Sequence, residues 1–193
     1  MWQTNNGVSF DLQRTDWEVV QDIFSFGYHV GLRLRSSAAG ACNGQFSNIN
    51  FDDVDVGIDA TATQEWACVI SNLNVANAGD GQFKIGVRAN GSVQLTVRGA
   101  SFWGSLRQAI VWEGDGSFLR LSDSTVHGWD SSQPAIDIRG GRAMVMGTAF
   151  KDLIGTAVRV SASADRVVLT SNELAGNTLD IQNHVTLTSA NHE

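Results

Sequence analysis

Gly31-Leu32-Arg33-Leu34, Gly57-Ile58-Asp59-Ala60 and Gly86-Val87-Arg88-Ala89 are three copies of one element: a small residue, an aliphatic, a polar residue and a second apolar one. The element continues as Ala109-Ile110-Val111-Trp112, Ala135-Ile136-Asp137-Ile138, Ala157-Val158-Arg159-Val160 and Thr178-Leu179-Asp180-Ile181, and reaches back to Gly7-Val8-Ser9-Phe10. Its successive steps along the chain are 24, 26, 29, 23, 26, 22 and 21. Apolar residues at alternate positions mark a short strand with one face buried. A pattern that recurs at such steps along the whole chain marks a solenoid, in which each coil packs on its neighbours.

Two further elements fall between the copies. One is polar: Gln21-Asp22-Ile23, Ser47-Asn48-Ile49, Ser71-Asn72-Leu73, Ser122-Asp123-Ser124 and Ser171-Asn172-Glu173. The other is strand-like and precedes it, as in Val69-Ile70, Leu119-Arg120-Leu121 and Val167-Val168-Leu169. Three short strands per coil predict an all-β fold over residues 1–193 as one domain: a single-stranded, right-handed parallel β-helix of about seven coils. A β-sandwich also uses many short strands, but it does not need one pattern kept in phase from end to end. The expected interior file is Val8, Leu32, Ile58, Val87, Ile110, Ile136, Val158 and Leu179. Asp22, Asn48, Asn72, Asp123 and Asn172 are expected to form a ladder at one turn, where Asn and Asp bond their own and neighbouring backbones. Asp16–Phe26 has a helical look, yet its Asp22-Ile23 is in phase with Asn48-Ile49, so it is read as a coil of the solenoid.

With the repeats laid out, the chain resembles the pectate-lyase-like superfamily of right-handed β-helices. The resemblance rests on Ser47-Asn48-Ile49-Asn50-Phe51 and Gly57-Ile58-Asp59-Ala60 and extends over nearly the whole chain. It implies strands PB1, PB2 and PB3, with Gly-Ile-x-Ala as PB1, the Asn ladder between PB2 and PB3, and polysaccharide bound in the groove above PB1. Asp52-Asp53 stands just after PB3 rather than on PB1. Asn-Thr-Asp, Gly-His-Gly, Arg-Ile-Lys and Trp-x-Asp-His stretches are missing. The resemblance therefore implies a carbohydrate-related role and no particular reaction.

Composition narrows the partners. The formal charge is −7 and the pI about 4.9, with no basic stripe to neutralise phosphates, so nucleic acid is not an expected partner. No apolar run approaches the roughly 18–20 residues of a membrane span, so no membrane partner is expected either. The first residues lack the basic-then-apolar order of a signal peptide, although the expected setting of the parent protein is extracellular or at a cell surface. The open coil ends suggest a segment of a longer β-helix, or ends covered by other subunits. Cys42 and Cys68 lie one coil apart, which is compatible with a disulfide or with two free thiols. No cofactor or metal is expected: Asp52, Asp53 and Asp55 lie along one strand–turn segment and read as an acidic patch.

The outward residues of the PB1 copies are Ser9, Arg33, Asp59, Arg88, Val111, Asp137, Arg159 and Asp180, followed by Asp11, Arg35, Thr61, Asn90, Glu113, Arg139, Ser161 and Gln182. One reading is a charge ladder between neighbouring strands. The other is a saccharide cleft, with Trp103, Trp129, Arg88, Arg139 and Asp59 binding substrate and Glu113, Asp137 and His127 doing acid–base work as in a glycoside hydrolase or polysaccharide lyase. Trp103 and Trp129, at one loop position of adjacent coils, would form a stacking platform, with Asp130 orienting His127. The alternative function is a non-catalytic structural or assembly module, such as a segment of a trimeric fibre or spike, or one that associates end to end. Exposed aliphatics among Val69, Val97, Leu106 and Ile154 would favour it. If the strand phase holds, Asp137→Asn should cost less than about 1 kcal/mol, as for an exposed ion pair.

Overall fold

The computed structural model describes residues 2–78, 84–183 and 186–192. They form an all-β parallel solenoid of about seven turns. A single helical turn, α1 (Trp2–Asn6), buries none of its residues. The first sheet has eight strands in chain order: β1 (Val8–Leu12), β3 (Val30–Leu34), β5 (Val56–Ala62), β7 (Ile85–Ser92), β10 (Gln108–Glu113), β13 (Ile136–Ile138), β16 (Thr156–Val160) and β18 (Thr178–Ile181). The second sheet has eleven. It begins with three long strands, β2 (Glu18–Phe26), β4 (Gly44–Asp52) and β6 (Cys68–Asn77). It goes on as β8 (Gln94–Arg98), β9 (Ser101–Gly104), β11 (Phe118–Ser122), β12 (Thr125–His127), β14 (Gly141–Met146), β15 (Ala149–Lys151), β17 (Ala164–Thr170) and β19 (Leu187–Ser189). Asp16–Phe26 belongs to the solenoid and is not helical: β2 takes up its Glu18–Phe26 part, with Ile23 beside Ile49. Val185 lies outside the described residues, and Leu187 pairs with Val168.

The first sheet carries the file that decides the fold. Leu32, Ile58, Val87, Ile110, Ile136 and Val158 stand on successive strands in direct register, all fully buried, and Leu179 follows. Each buried aliphatic contributes roughly 1.5–3 kcal/mol, and the file is one part of a core that extends well beyond it. One inward position further on, Trp112 lies between Ala89 and Ile138, so the bulkiest buried side chain has a small neighbour on one side. Gly31 and Gly86 leave room for the corner: a Cβ at either would come within 2.5 Å of the Phe51 or Phe102 ring.

The first coil departs from the expected phase. Val8 pairs with Val30, and it is Phe10 that meets Leu32. Gly7 is not the strand glycine; its N–H donates to the Gln3 carbonyl (2.7 Å) and ends α1. The file therefore starts at Phe10 and the outward column at Asp11, in place of Val8 and Ser9.

The turn ladder is present but shorter than expected. Asp22, Asn48 and Asn72 share left-handed backbones (φ 58°, 55° and 56°), and their side chains bond in sequence: Asn48 Nδ2 donates to Asp22 Oδ1 (2.7 Å) and Asn72 Nδ2 to Asn48 Oδ1 (3.1 Å). In the following coils this turn position is Gly99, Asp123, Gly147 and Ser171, all with positive φ. The glycines carry no side chain to extend the chain of bonds. Asn172 is one residue too late for this turn and lies inside. It accepts from the Thr148 N–H (3.0 Å) and donates to the Val145 carbonyl (3.1 Å), so its buried amide is satisfied.

Candidate functional site

Asp59, Arg88, Glu113, Asp137 and Arg139 lie on the first-sheet face. With Asp11 in its corrected place, the outward column reads Asp11, Arg33, Asp59, Arg88, Val111, Asp137, Arg159, Asp180 and alternates in sign except at Val111. The alternation is realised as ion pairs. Arg88 Nε donates to Asp59 (2.9 Å), with Arg33 on the other side at 3.6 Å. Arg35 grips Asp11 with two nitrogens at 2.7 and 2.9 Å, and this hydrogen bonding holds the Asp11 carboxyl below its ordinary range.

Asp137 is the centre of the largest cluster. It is 0% exposed and accepts from Arg139 Nε (2.7 Å) and from Arg159 Nε and Nη2 (2.9 and 2.5 Å). Burial pushes its carboxyl up, but the hydrogen bonds from Arg159 and Arg139 outweigh that and hold it low. Arg139 also reaches Glu113 (2.5 Å). An acid catalyst for glycosidic cleavage needs a raised pKa and access to the leaving oxygen. Asp137 has neither: it stands in the outward column, but Arg139 and Arg159 cover it, so it is not the exposed residue its strand position suggested. Above Val111 is a dent of about 190 Å³ lined by Ile85, Arg88, Asn90, Arg107, Gln108, Glu113 and Arg139. Arg107, not foreseen as a site residue, makes no ion pair among the described residues.

Trp103, His127 and Trp129 are not on this face. Trp103 and His127 are register neighbours on β9 and β12 of the second sheet and line a shallow groove of about 510 Å³ with Ser101, Gly104, Gly128 and Asp152. Trp103 is 49% exposed. His127 Nδ1 meets Asp152 Oδ2 at 3.0 Å, one coil on; Asp130 instead accepts from the Ser132 N–H. Asp152 has a left-handed backbone (φ 69°) just past β15, and its place one coil after His127 was the available signal.

Trp129 is not half of a platform. It is 4% exposed, packs edge-on against Phe150 (centroids 6.3 Å apart) and donates its indole N–H to the Gln133 carbonyl (3.1 Å). The coil is shorter here than the separation of the two tryptophans, with Phe102 pairing with Val126 and Trp103 with His127. Trp129 therefore overshoots, and the residue stacked on Trp103 is His127.

Cys42 and Cys68 are buried free thiols with sulfurs 3.9 Å apart, too far for a bond of about 2.05 Å. The neighbouring Cys42 sulfur and burial both keep the Cys68 thiol protonated. Among the described residues no three His, Cys, Asp or Glu side chains converge as a metal site; Asp53 pairs with Lys84, and Asp55 with His29 (2.9 Å). No described helix is long and apolar enough to cross a membrane. Comparison with family models, with curated proteins and with solved structures returned no match to this chain.

Proposed function

We propose that this protein is a polysaccharide-binding solenoid that holds glycan without cleaving it. The observation that carries the reading is the groove of Trp103 and His127: a half-exposed indole beside an imidazole whose Nδ1 is engaged by Asp152. An apolar ring face next to a few oriented polar groups is the usual make-up of a ligand site. The dent over Val111, where Arg107 stands unpaired among the described residues, offers a second contact on the PB1-like face. Binding is favoured over degradation because Asp137 and Glu113 are both tied to arginine. On this reading the solenoid is right-handed, winds three strands per coil and stands with the pectate-lyase-like β-helices. Parallel crossovers within one sheet are right-handed in about 98% of cases, which supports the hand. The parent protein would then work outside the cell or at its surface.

The test is titration of the full chain against neutral and acidic oligosaccharides, with Trp103→Ala and Arg107→Ala beside the parent. A loss of about tenfold or more in affinity, about 1.4 kcal/mol, is expected for Trp103→Ala. No binding to any saccharide, or unchanged binding in both variants, ends the proposal.

One observation favours the assembly reading. Trp17, Val19, Phe24 and Phe26 are exposed on and beside β2, whose one strand partner among the described residues is β4. Of the aliphatics expected to mark a subunit face, Val97 and Leu106 are buried and Ile154 is exposed. Light scattering that finds a trimer or end-to-end oligomer, dispersed by Phe24→Ser, would support this second role; a strict monomer would remove it.

A further inference from the structure

The arginines of the second sheet are arranged unlike those of the first. Arg142 on β14 is the direct register neighbour of Arg166 on β17, and on its other side stands Phe118 of β11. Arg120, two residues along from Phe118, holds its guanidinium 4.0 Å from the centre of the Phe118 ring, and Arg142 holds its own at 4.8 Å. All three arginines are exposed, and among the described residues none makes an ion pair. Phe118, Arg142 and Arg166 line a groove of about 680 Å³ with Ala143, Met144, Val168, Leu187 and one acid, Asp165.

Like charges on directly opposed strand positions repel. In a chain of net charge −7 there is no shortage of carboxylates to neutralise them. Among the described residues seven of the thirteen basic side chains are paired, yet these three are not. Stacking on one aromatic ring restrains two of the guanidiniums before any ligand arrives, which lowers the entropy lost on binding. Their planar forks suit oxyanions, which they can grip with two parallel hydrogen bonds. Beside them Met144, Val168 and Leu187 form an apolar shelf.

We infer that Arg120, Arg142 and Arg166 form a binding site for an acidic sugar, its carboxylate or sulfate held by the arginines and its ring face laid on the aliphatic shelf. Extended nucleic acid fits less well, because the cationic area is confined to three coils of a strongly acidic molecule. The ligand class follows the polysaccharide reading, but the site is a different one, on the other sheet from the dent over Val111 and separate from the Trp103 groove.

The experiment is calorimetric titration of the full chain with uronate oligomers, sulfated oligosaccharides, sodium sulfate alone and a single-stranded DNA oligomer, at low and high salt. Arg142→Ala/Arg166→Ala is compared with Trp103→Ala and Arg107→Ala, each checked by a thermal melt. The expected result is that the double arginine variant weakens the acidic sugar at least tenfold, that added salt weakens the parent more than the variant, and that Arg142→Lys/Arg166→Lys recovers only part of the loss. Uronate and sulfated arms tell the two oxyanions apart. Loss in Trp103→Ala or Arg107→Ala with the double variant unchanged overturns this inference and leaves the polysaccharide reading standing. Loss in the double variant alone supports this inference and removes the Trp103 groove and the dent over Val111 as the saccharide sites. Full recovery with lysine, sulfate alone binding as well as the sugars, or DNA binding more tightly than either, also overturns it.

Discussion

On the eight-stranded sheet Asp11, Arg33, Asp59 and Arg88 occupy successive strands, and Asp137 is gripped by Arg139 and Arg159; on the eleven-stranded sheet Arg142 and Arg166 stand side by side with no acid bonded to either among the described residues. Both sheets stack strands in parallel at the same spacing of about 4.8 Å, so the backbone imposes the same closeness on each column. The side chains alone set the difference. Alternating signs let the first face satisfy its own charges, and a buried carboxylate becomes tolerable because two guanidiniums bond it. Repeated signs leave the second face with unmet cations. The lesson is that charged residues on a solenoid face do not mark a ligand site by their presence. What matters is whether the next coil already answers them.

The largest expected effect lies beneath both faces. Ile136→Asp puts a carboxylate into the interior file, where no Lys or Arg is buried among the described residues, and it should cost more than about 4 kcal/mol and abolish the cooperative thermal transition seen by circular dichroism. A melt within a few degrees of the parent would break the assignment of the file.

Asp137→Asn should come next, at about 3 kcal/mol in urea unfolding, because it leaves two guanidiniums facing a neutral amide. This replaces the value below about 1 kcal/mol that an exposed ladder would give. The sign of the pH dependence follows from the depressed carboxyl. Its contribution is complete above the unfolded-state value near 3.8 and is lost as pH falls through the lower folded-state value. Acid unfolding of the parent should therefore be steeper below about pH 4 than that of the Asn variant. Superimposable acid limbs would mean that Asp137 is not ion-paired in solution.

The smallest effect should have the opposite sign. Arg166→Ala removes one of two adjacent like charges and should change stability by no more than about 0.5 kcal/mol, toward greater stability at low salt. A clear loss would show that Arg166 has an internal partner, and the contrast between the faces would disappear.

Much of this was legible beforehand. The interior file from Leu32 to Leu179 and the first three rungs of the turn ladder were in plain view, because each needs one residue type at one recurring position. Errors arose where coil length drifted. Steps along the file are unequal, so a slip of two positions placed Val8 for Phe10 and paired Trp103 with Trp129. Asn172 missed its turn by one position for the same reason. The arginine cluster had a signal too, since Arg142 and Arg166 stand one coil apart with Arg120 two positions off that register, but spacing alone does not say whether an acid lies between them.

Periodicity by itself determined that this chain is a stacked parallel β fold with a continuous aliphatic interior, because one pattern of alternate burial recurring in phase along the whole chain is what coils lying over one another require. Register, and with it the partner of each polar side chain, was decided only in three dimensions. A hydrogen bond between coils depends on where residues a whole coil apart in sequence come to rest, and every insertion in a loop shifts that without touching the local pattern.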